Sequence, residues 1–306
     1  MINLSLLKSA LGDKILTYLD DKDVIEIMVN PDKKLWIDTL SKGRIFTGEI
    51  IPSQNSRKII NIVSTNSNEV MNKFSTIISA ELPGCGSRFQ GMIPPSVINP
   101  SFTIRKKASM VFSLDRYVKD KIMTLEQMKV IQRAIEERMN ILVVGGTSTG
   151  KTTLTNAIIN EMKNYNNRIV ILEDTQELQC NNEDHVFMRT TPHTSMRDLL
   201  KSTMRFRPDR IIVGEVRGGE ALDLLKAWNS GHPGGVSTIH ANDSKSGLDK
   251  LEQYIQEISS TPQQKMIAEA VNLIINIKKD GLKRKIHEIV KVKKYEKNEY
   301  ILEKIN

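Results

Sequence analysis

Residues 141–153, ILVVGGTSTGKTT, constrain this chain more than any other stretch. Ile141, Leu142, Val143 and Val144 are β-prone and apolar, which predicts a strand buried on both faces in a parallel sheet. Gly145, Gly146, Thr147, Ser148, Thr149, Gly150, Lys151 and Thr152 follow, and they satisfy G-x-x-x-x-G-K-[ST] at every fixed position. Leu154, Ala157, Ile158 and Met162 then recur at helical spacing. A glycine-rich turn between a strand and a helix is a phosphate cradle. Its glycines let main-chain N–H groups close around phosphate oxygens, and the helix start adds roughly half a positive charge. Lys151 can reach the β- and γ-phosphates of ATP, and the Thr152 hydroxyl can ligate Mg²⁺. Thr153 is counted with the nucleotide-binding residues.

The 306 residues give room for about two domains. Apolar content of 39% with 26% charged residues fits a soluble globular chain. No apolar run approaches the roughly 20 residues of a membrane span, and residues 1–14 do not read as a secretory leader. Cys85 and Cys180 match no metal spacing and suggest a reducing compartment. A net charge of +8 suggests anionic partners: nucleotide, nucleic acid or an anionic membrane face. Much of that excess lies in residues 278–304, which read most simply as a solvated basic face.

Residues 1–108 read as a mixed α/β domain, with helices over 4–19 and 56–64 and short strands over 24–29, 35–38, 44–46, 88–93 and 102–105. Residues 109–120 read as a linker, being polar and without period. Thr124-x-x-Gln127 then fits a capping box, and residues 121–306 form the second domain. There strand and helix alternate, which predicts a mostly parallel sheet: strands over 168–172, 186–189, 210–213 and 236–239, with helices over 195–206 and 220–228. Thr261-Pro262-x-Gln264 reads as another capped helix start. Residues 273–277, 285–292 and 300–305 read as an antiparallel set. The fold class is therefore α/β, in two domains.

Hydrolysis needs a metal, a positioned water and charge stabilisation beyond the cradle. Acidic residues at strand ends supply the first two, because ligands bind there in open α/β sheets. Glu173, Asp174 and Glu177 follow one buried strand, and Glu215 follows another. The stretch around Glu215 resembles a Walker B strand with Gly214 at the usual Asp position, so Glu215 must do the metal or water work. His232 and His240 form at best a weak zinc pair. Arg88, Arg105, Arg189, Arg205, Arg207 and Arg217 are all candidates to stabilise phosphoryl charge, and the residues alone single out none of them.

The succession GGTSTGKTT, ILEDTQEL, RFRPDRIIVGEVRGGEALDLLKAWNSGHPGG and STIHAN resembles the secretion-ATPase superfamily of type II and type IV machines. It is most similar to the conjugal-transfer ATPases, the P-type conjugative transfer group. The segments resemble that family's Walker A, Asp box, atypical Walker B and His box, in order. The resemblance implies a C-terminal RecA-like P-loop ATPase domain and a hexameric ring, with ATP and Mg²⁺ between the two domains. On that basis Lys151 and Thr152 take the phosphate and metal roles, and Glu215 serves as catalytic carboxylate and metal residue. Glu173 is a second catalytic carboxylate, His240 a phosphate sensor, and Arg88 and Arg105 arginines that reach the nucleotide. The implied function is a motor at the cytoplasmic face of the inner membrane, with partners in a type IV conjugation machine and peripheral membrane contact. Direct nucleic-acid binding is left open. The rival expectations are a motor that retracts twitching pili and a nucleotide-gated scaffold without essential turnover.

Overall fold

Alternating apolar residues build the first of two units, Met1–Ser109, and longer apolar runs build the second, Met110–Asn306. The computed structural model describes residues 4–67, 71–107, 111–281 and 283–305. The expected junction between domain and linker, at 108–110, lies outside the described residues.

In the first unit, α1 (Leu4–Asp20) precedes β1 (Val24–Val29), β2 (Lys34–Thr39) and β3 (Gly43–Ile50). Then come α2 (Ser53–Asn66), β4 (Ile77–Glu81), β5 (Arg88–Met92) and β6 (Ser101–Arg105). Among the described residues the strands form one antiparallel sheet in the order β3-β2-β1-β6-β5-β4. Ile27, Leu35, Phe89 and Ile104 are buried with Leu7 and Ile15 of α1 and Ile59 and Ile60 of α2. Each fully buried aliphatic side chain contributes about 1.5–3 kcal/mol, so this face holds the two helices on the sheet. The register also sets a row of charges across it. Glu26 stands opposite Arg105, Arg105 opposite Arg88, and Arg88 opposite Glu81. Burial pushes the Glu26 carboxyl up, and Arg105 works against that shift.

The second unit begins with α3 (Leu114–Lys119), which corrects the linker expected over 109–120. Ser113 caps α3 by accepting the Arg116 N–H, and Leu114 and Tyr117 are buried in the core of the unit. Next come α4 (Leu125–Glu136) with its Thr124–Gln127 capping box, β7 (Ile141–Val144), α5 (Lys151–Met162), β8 (Ile169–Glu173) and β9 (His185–Arg189). They are followed by α6 (Met196–Thr203), β10 (Arg210–Val213), α7 (Glu220–Trp228), β11 (Val236–Ile239) and α8 (Ser244–Gln256). The chain continues through α9 (Gln264–Ala270), β12 (Leu273–Asp280), β13 (Lys283–Glu296) and β14 (Glu299–Ile305). The helix start expected at Thr261-Pro262 falls later: α9 begins at Gln264, and no side chain caps it.

Among the described residues these strands make one sheet, ordered β14-β13-β12-β7-β11-β10-β8-β9. The pairs from β12 to β9 are parallel, and β13 and β14 extend the sheet antiparallel. Strands β7, β8, β10 and β11 are buried at every position, as a sheet covered on both faces requires. One face packs against α4 and α5, the other against α7 and α8. No described helix is long and apolar enough to cross a membrane. The carboxyl ends of β8, β10, β11 and β7 thus emerge side by side, where an open α/β sheet binds its ligands.

Candidate active site

The loop after β7 turns into α5 at Gly150, whose φ of 96° is left-handed backbone that favours glycine. Helix α5 therefore starts with its free N–H groups at the loop. Lys151 is only 7% exposed. Its ammonium donates to the carbonyls of Gly145 (3.0 Å) and Gly146 (2.9 Å) and lies 3.3 Å from His240 Nδ1. His240 follows β11, and its Nε2 is 2.7 Å from Glu215 Oε1. The same ammonium lies 3.4 Å from His240 Nε2, so Lys151 sits against the ring rather than on one lone pair. Burial pushes the imidazole pKa down and Lys151 pushes it further, with Glu215 opposing, which favours the neutral ring.

Glu215 is held from its other side. Arg217 donates from Nε to Glu215 Oε2 at 2.7 Å, and its Nη1 reaches Asp174 Oδ2 at 3.4 Å. Burial disfavours the Arg217 charge, but the bond to Glu215 and the nearby Asp174 and Glu177 outweigh it and hold the guanidinium pKa up. The loops after β7, β8, β10 and β11 are thereby joined in one polar chain: Lys151, His240, Glu215, Arg217, Asp174.

Glu173 plays a different part in this geometry. It is 6% exposed, and its Oε1 accepts the N–H groups of Glu177 and Leu178, each at 3.0 Å. The carboxylate thus closes the turn after β8, and that turn brings Glu177 Oε2 to 3.3 Å from the Thr152 hydroxyl. Asn156 of α5 clasps the same turn, accepting from Gln179 N–H at 2.8 Å. Glu177, the last acid of the E-D-x-x-E stretch after β8, is the carboxylate beside the expected metal-binding hydroxyl, whereas Glu215 meets His240 and Arg217. The turn returns its side chain to the strand end.

The glycine in place of the usual Asp has a steric cause. A Cβ on Gly214 would stand 2.9 Å from Glu173 Cγ and 3.2 Å from its Oε1, so the volume a Walker B Asp would fill is already taken by Glu173. Gly214→Ala is expected to displace Glu173, open the Glu177 turn and destabilise the chain by about 1–3 kcal/mol. Denaturant midpoints of the two proteins would measure it, and an unchanged midpoint would contradict this account of the glycine.

His232 and His240 stand beyond opposite ends of β11, roughly 13 Å of strand apart, so they cannot share an ion. Among the described residues no group of three or more His, Cys, Asp or Glu side chains could hold a metal. The donors that suit Mg²⁺ are the Thr152 hydroxyl and the Glu177 carboxylate beside it, hard oxygens that leave most positions to water and phosphate. Arg205 and Arg207 fall in an exposed turn after α6. Arg88 and Arg105 are neighbours in the first unit.

A family model described as Type II/IV secretion system protein matches residues 75–299, more than half of the chain. The chain belongs to this family. Within it, the conjugal transfer protein TrbB of Rhizobium radiobacter is 48% identical over 296 residues, covering 96% of this chain and 91% of that one. The type IV secretion system protein VirB11 of Bartonella quintana is 28% identical over 286 residues, with 80% of each chain covered. Among solved structures the Legionella pneumophila ATPase DotB aligns with a TM-score of 0.63 at 18% identity, over 87% of this chain and 75% of that one. At that identity the likeness is one of fold.

Proposed function

We propose that the chain is an ATP-hydrolysing motor of a conjugative type IV secretion system, powering pilus assembly or the export of DNA and protein. The observation that carries the hydrolytic part is the Lys151–His240–Glu215 cluster beside the phosphate loop. The conjugative part rests on the likeness to TrbB over nearly the full length.

In this reading the amides of residues 145–150 and the start of α5 bind the β- and γ-phosphates. Lys151 leaves the carbonyls of Gly145 and Gly146 for phosphate oxygens, and His240, losing that contact, registers the change. Mg²⁺, when bound at Thr152, neutralises phosphate charge. Glu215 orients the attacking water and accepts its proton, and Arg217 holds that carboxylate in place. Water oxygen then bonds to the γ-phosphorus, the bond to the bridging oxygen breaks, and ADP and phosphate leave. Arg88 and Arg105 are further candidates for contacts to the nucleotide. A hexameric ring docked on inner-membrane components, at the cytoplasmic face, completes the proposal.

The test is genetic. In a donor cell lacking this chain, the parent sequence restores plasmid transfer to recipients, and Glu215→Gln, present at equal level, does not. Full transfer by Glu215→Gln would favour a nucleotide-gated scaffold instead.

A further inference from the structure

Residues 240–244 carry the chain from the end of β11 into α8, and three side chains hold the backbone of that loop. Lys250 of α8 donates from Nζ to the His240 carbonyl at 2.9 Å. Asn276 of β12 donates from Nδ2 to the Asn242 carbonyl at 3.0 Å. Glu288 of β13 accepts through Oε1 from the Ser244 N–H at 3.1 Å and from the Ser244 hydroxyl at 2.8 Å. Asn276 and Glu288 are direct cross-strand partners, and Asn276 is also the register partner of Val144, the last residue before the phosphate loop. One rung of the sheet therefore meets both the loop that carries His240 and the strand that leads into the phosphate loop.

Asn276 runs against its own strand. It is 0% exposed, among the buried apolar residues Leu273, Ile274, Ile275 and Ile277, and asparagine is a poor strand former. Its Oδ1 accepts no hydrogen bond among the described residues. A buried amide left half-satisfied destabilises a fold, so an aliphatic side chain would suit the position better. Asn242, whose carbonyl it serves, is an exposed residue. A bond from a fully buried amide to an exposed turn adds little to the core. What it fixes is the place of the loop.

We propose that Asn276, seconded by Glu288, is a positioning residue for this site: it ties the loop after β11 to the sheet and so sets the His240 ring between Lys151 and Glu215. The inference rests on the role given to His240 above. The ring lies 3.3 Å from Lys151 Nζ and 2.7 Å from Glu215 Oε1, so a displacement of about 1 Å breaks or remakes both contacts. Its placement is also readable, because the charged groups acting on it are Lys151, Glu215, Lys250 and Arg217. Burial and Lys151 outweigh Glu215 there and hold the imidazole pKa down.

The test uses the full chain with Asn276→Leu, which keeps the shape of the side chain and removes its amide. Released from the sheet, His240 leaves its half-buried place beside Lys151, so its ring titrates at higher pH than in the parent. NMR of the nucleotide-free protein across about pH 4–8 reads that shift, with the resonance assigned through His240→Asn. For MgATP, kcat falls about 10–100-fold, as a misplaced group costs, and KM stays within a few-fold because the phosphate loop is untouched. The melting temperature equals or exceeds the parent's, since a half-satisfied buried amide is gone. An unmoved His240 titration overturns the proposal, and if turnover and melting temperature both fall with it unmoved, Asn276 is a structural residue only. Should Asn276→Leu not fold, Glu288→Leu decides by the same titration. A parent chain that releases no phosphate removes the hydrolytic reading, and the titration then decides the positioning by itself.

Discussion

Glu215→Gln is expected to keep ATP affinity within a few-fold of the parent while turnover falls by about 10²–10⁴, the usual contribution of a positioned general base. The substitution keeps side-chain volume, and a Gln carbonyl can still accept from Arg217 Nε, which now meets Glu215 Oε2 at 2.7 Å. It removes the negative charge that faces His240 and the basicity needed to take a proton from water. Affinity persists because the loop amides, Lys151 and the start of α5 are untouched. Phosphate release at saturating MgATP, read beside nucleotide affinity, separates the two effects. Near-parental hydrolysis would remove Glu215 from the mechanism.

Lys151→Ala should be more severe, because affinity and turnover fall together. Lys151 is nearly buried within the loop it serves, and its ammonium is the cation placed to follow phosphate charge into the transition state. Loss of one such donor lowers kcat by about 10²–10³, and loss of the ground-state contact weakens binding as well. A second readout follows from the His240 contact. Lys151 helps push the imidazole pKa down, so in Lys151→Ala His240 should titrate at a higher pH than in the parent. Its ring resonances followed by NMR across pH 4–8 would show the shift, and an unmoved titration would contradict the observed Lys151–His240 proximity.

Much of the second unit is legible in sequence because its strands are apolar runs stopped by glycine or polar residues. For β7, β10 and β11 the expected and observed bounds coincide. The phosphate loop reads equally well, since its function depends on residue types at fixed spacing. What sequence could not show has physical causes. Helix α3 buries only Leu114 and Tyr117, and two positions establish no period. Arg210 looks like an ordinary strand start, yet it is 1% exposed and satisfied by Asn167 Oδ1 and the carbonyls of Gly234 and Ile135. Those partners are distant in the chain, and burial with Arg138 nearby brings its pKa down to about 10.

The active-site carboxylates show the same limit. Strand ends point to Glu173, Asp174, Glu177 and Glu215 alike, but only the folded turn shows that Glu173 Oε1 accepts the N–H groups of Glu177 and Leu178 while Glu177 Oε2 meets the Thr152 hydroxyl. Gly214 reads as a departure from a motif until Glu173 is seen in the space an Asp would need.

Whether this site hydrolyses ATP or merely holds it is decided by steady-state phosphate release from the purified chain with MgATP, with Glu215→Gln as comparison. Sustained turnover is expected of the parent chain, and its loss in Glu215→Gln with binding retained. A parent chain that binds MgATP tightly and releases no phosphate would contradict hydrolysis at this site.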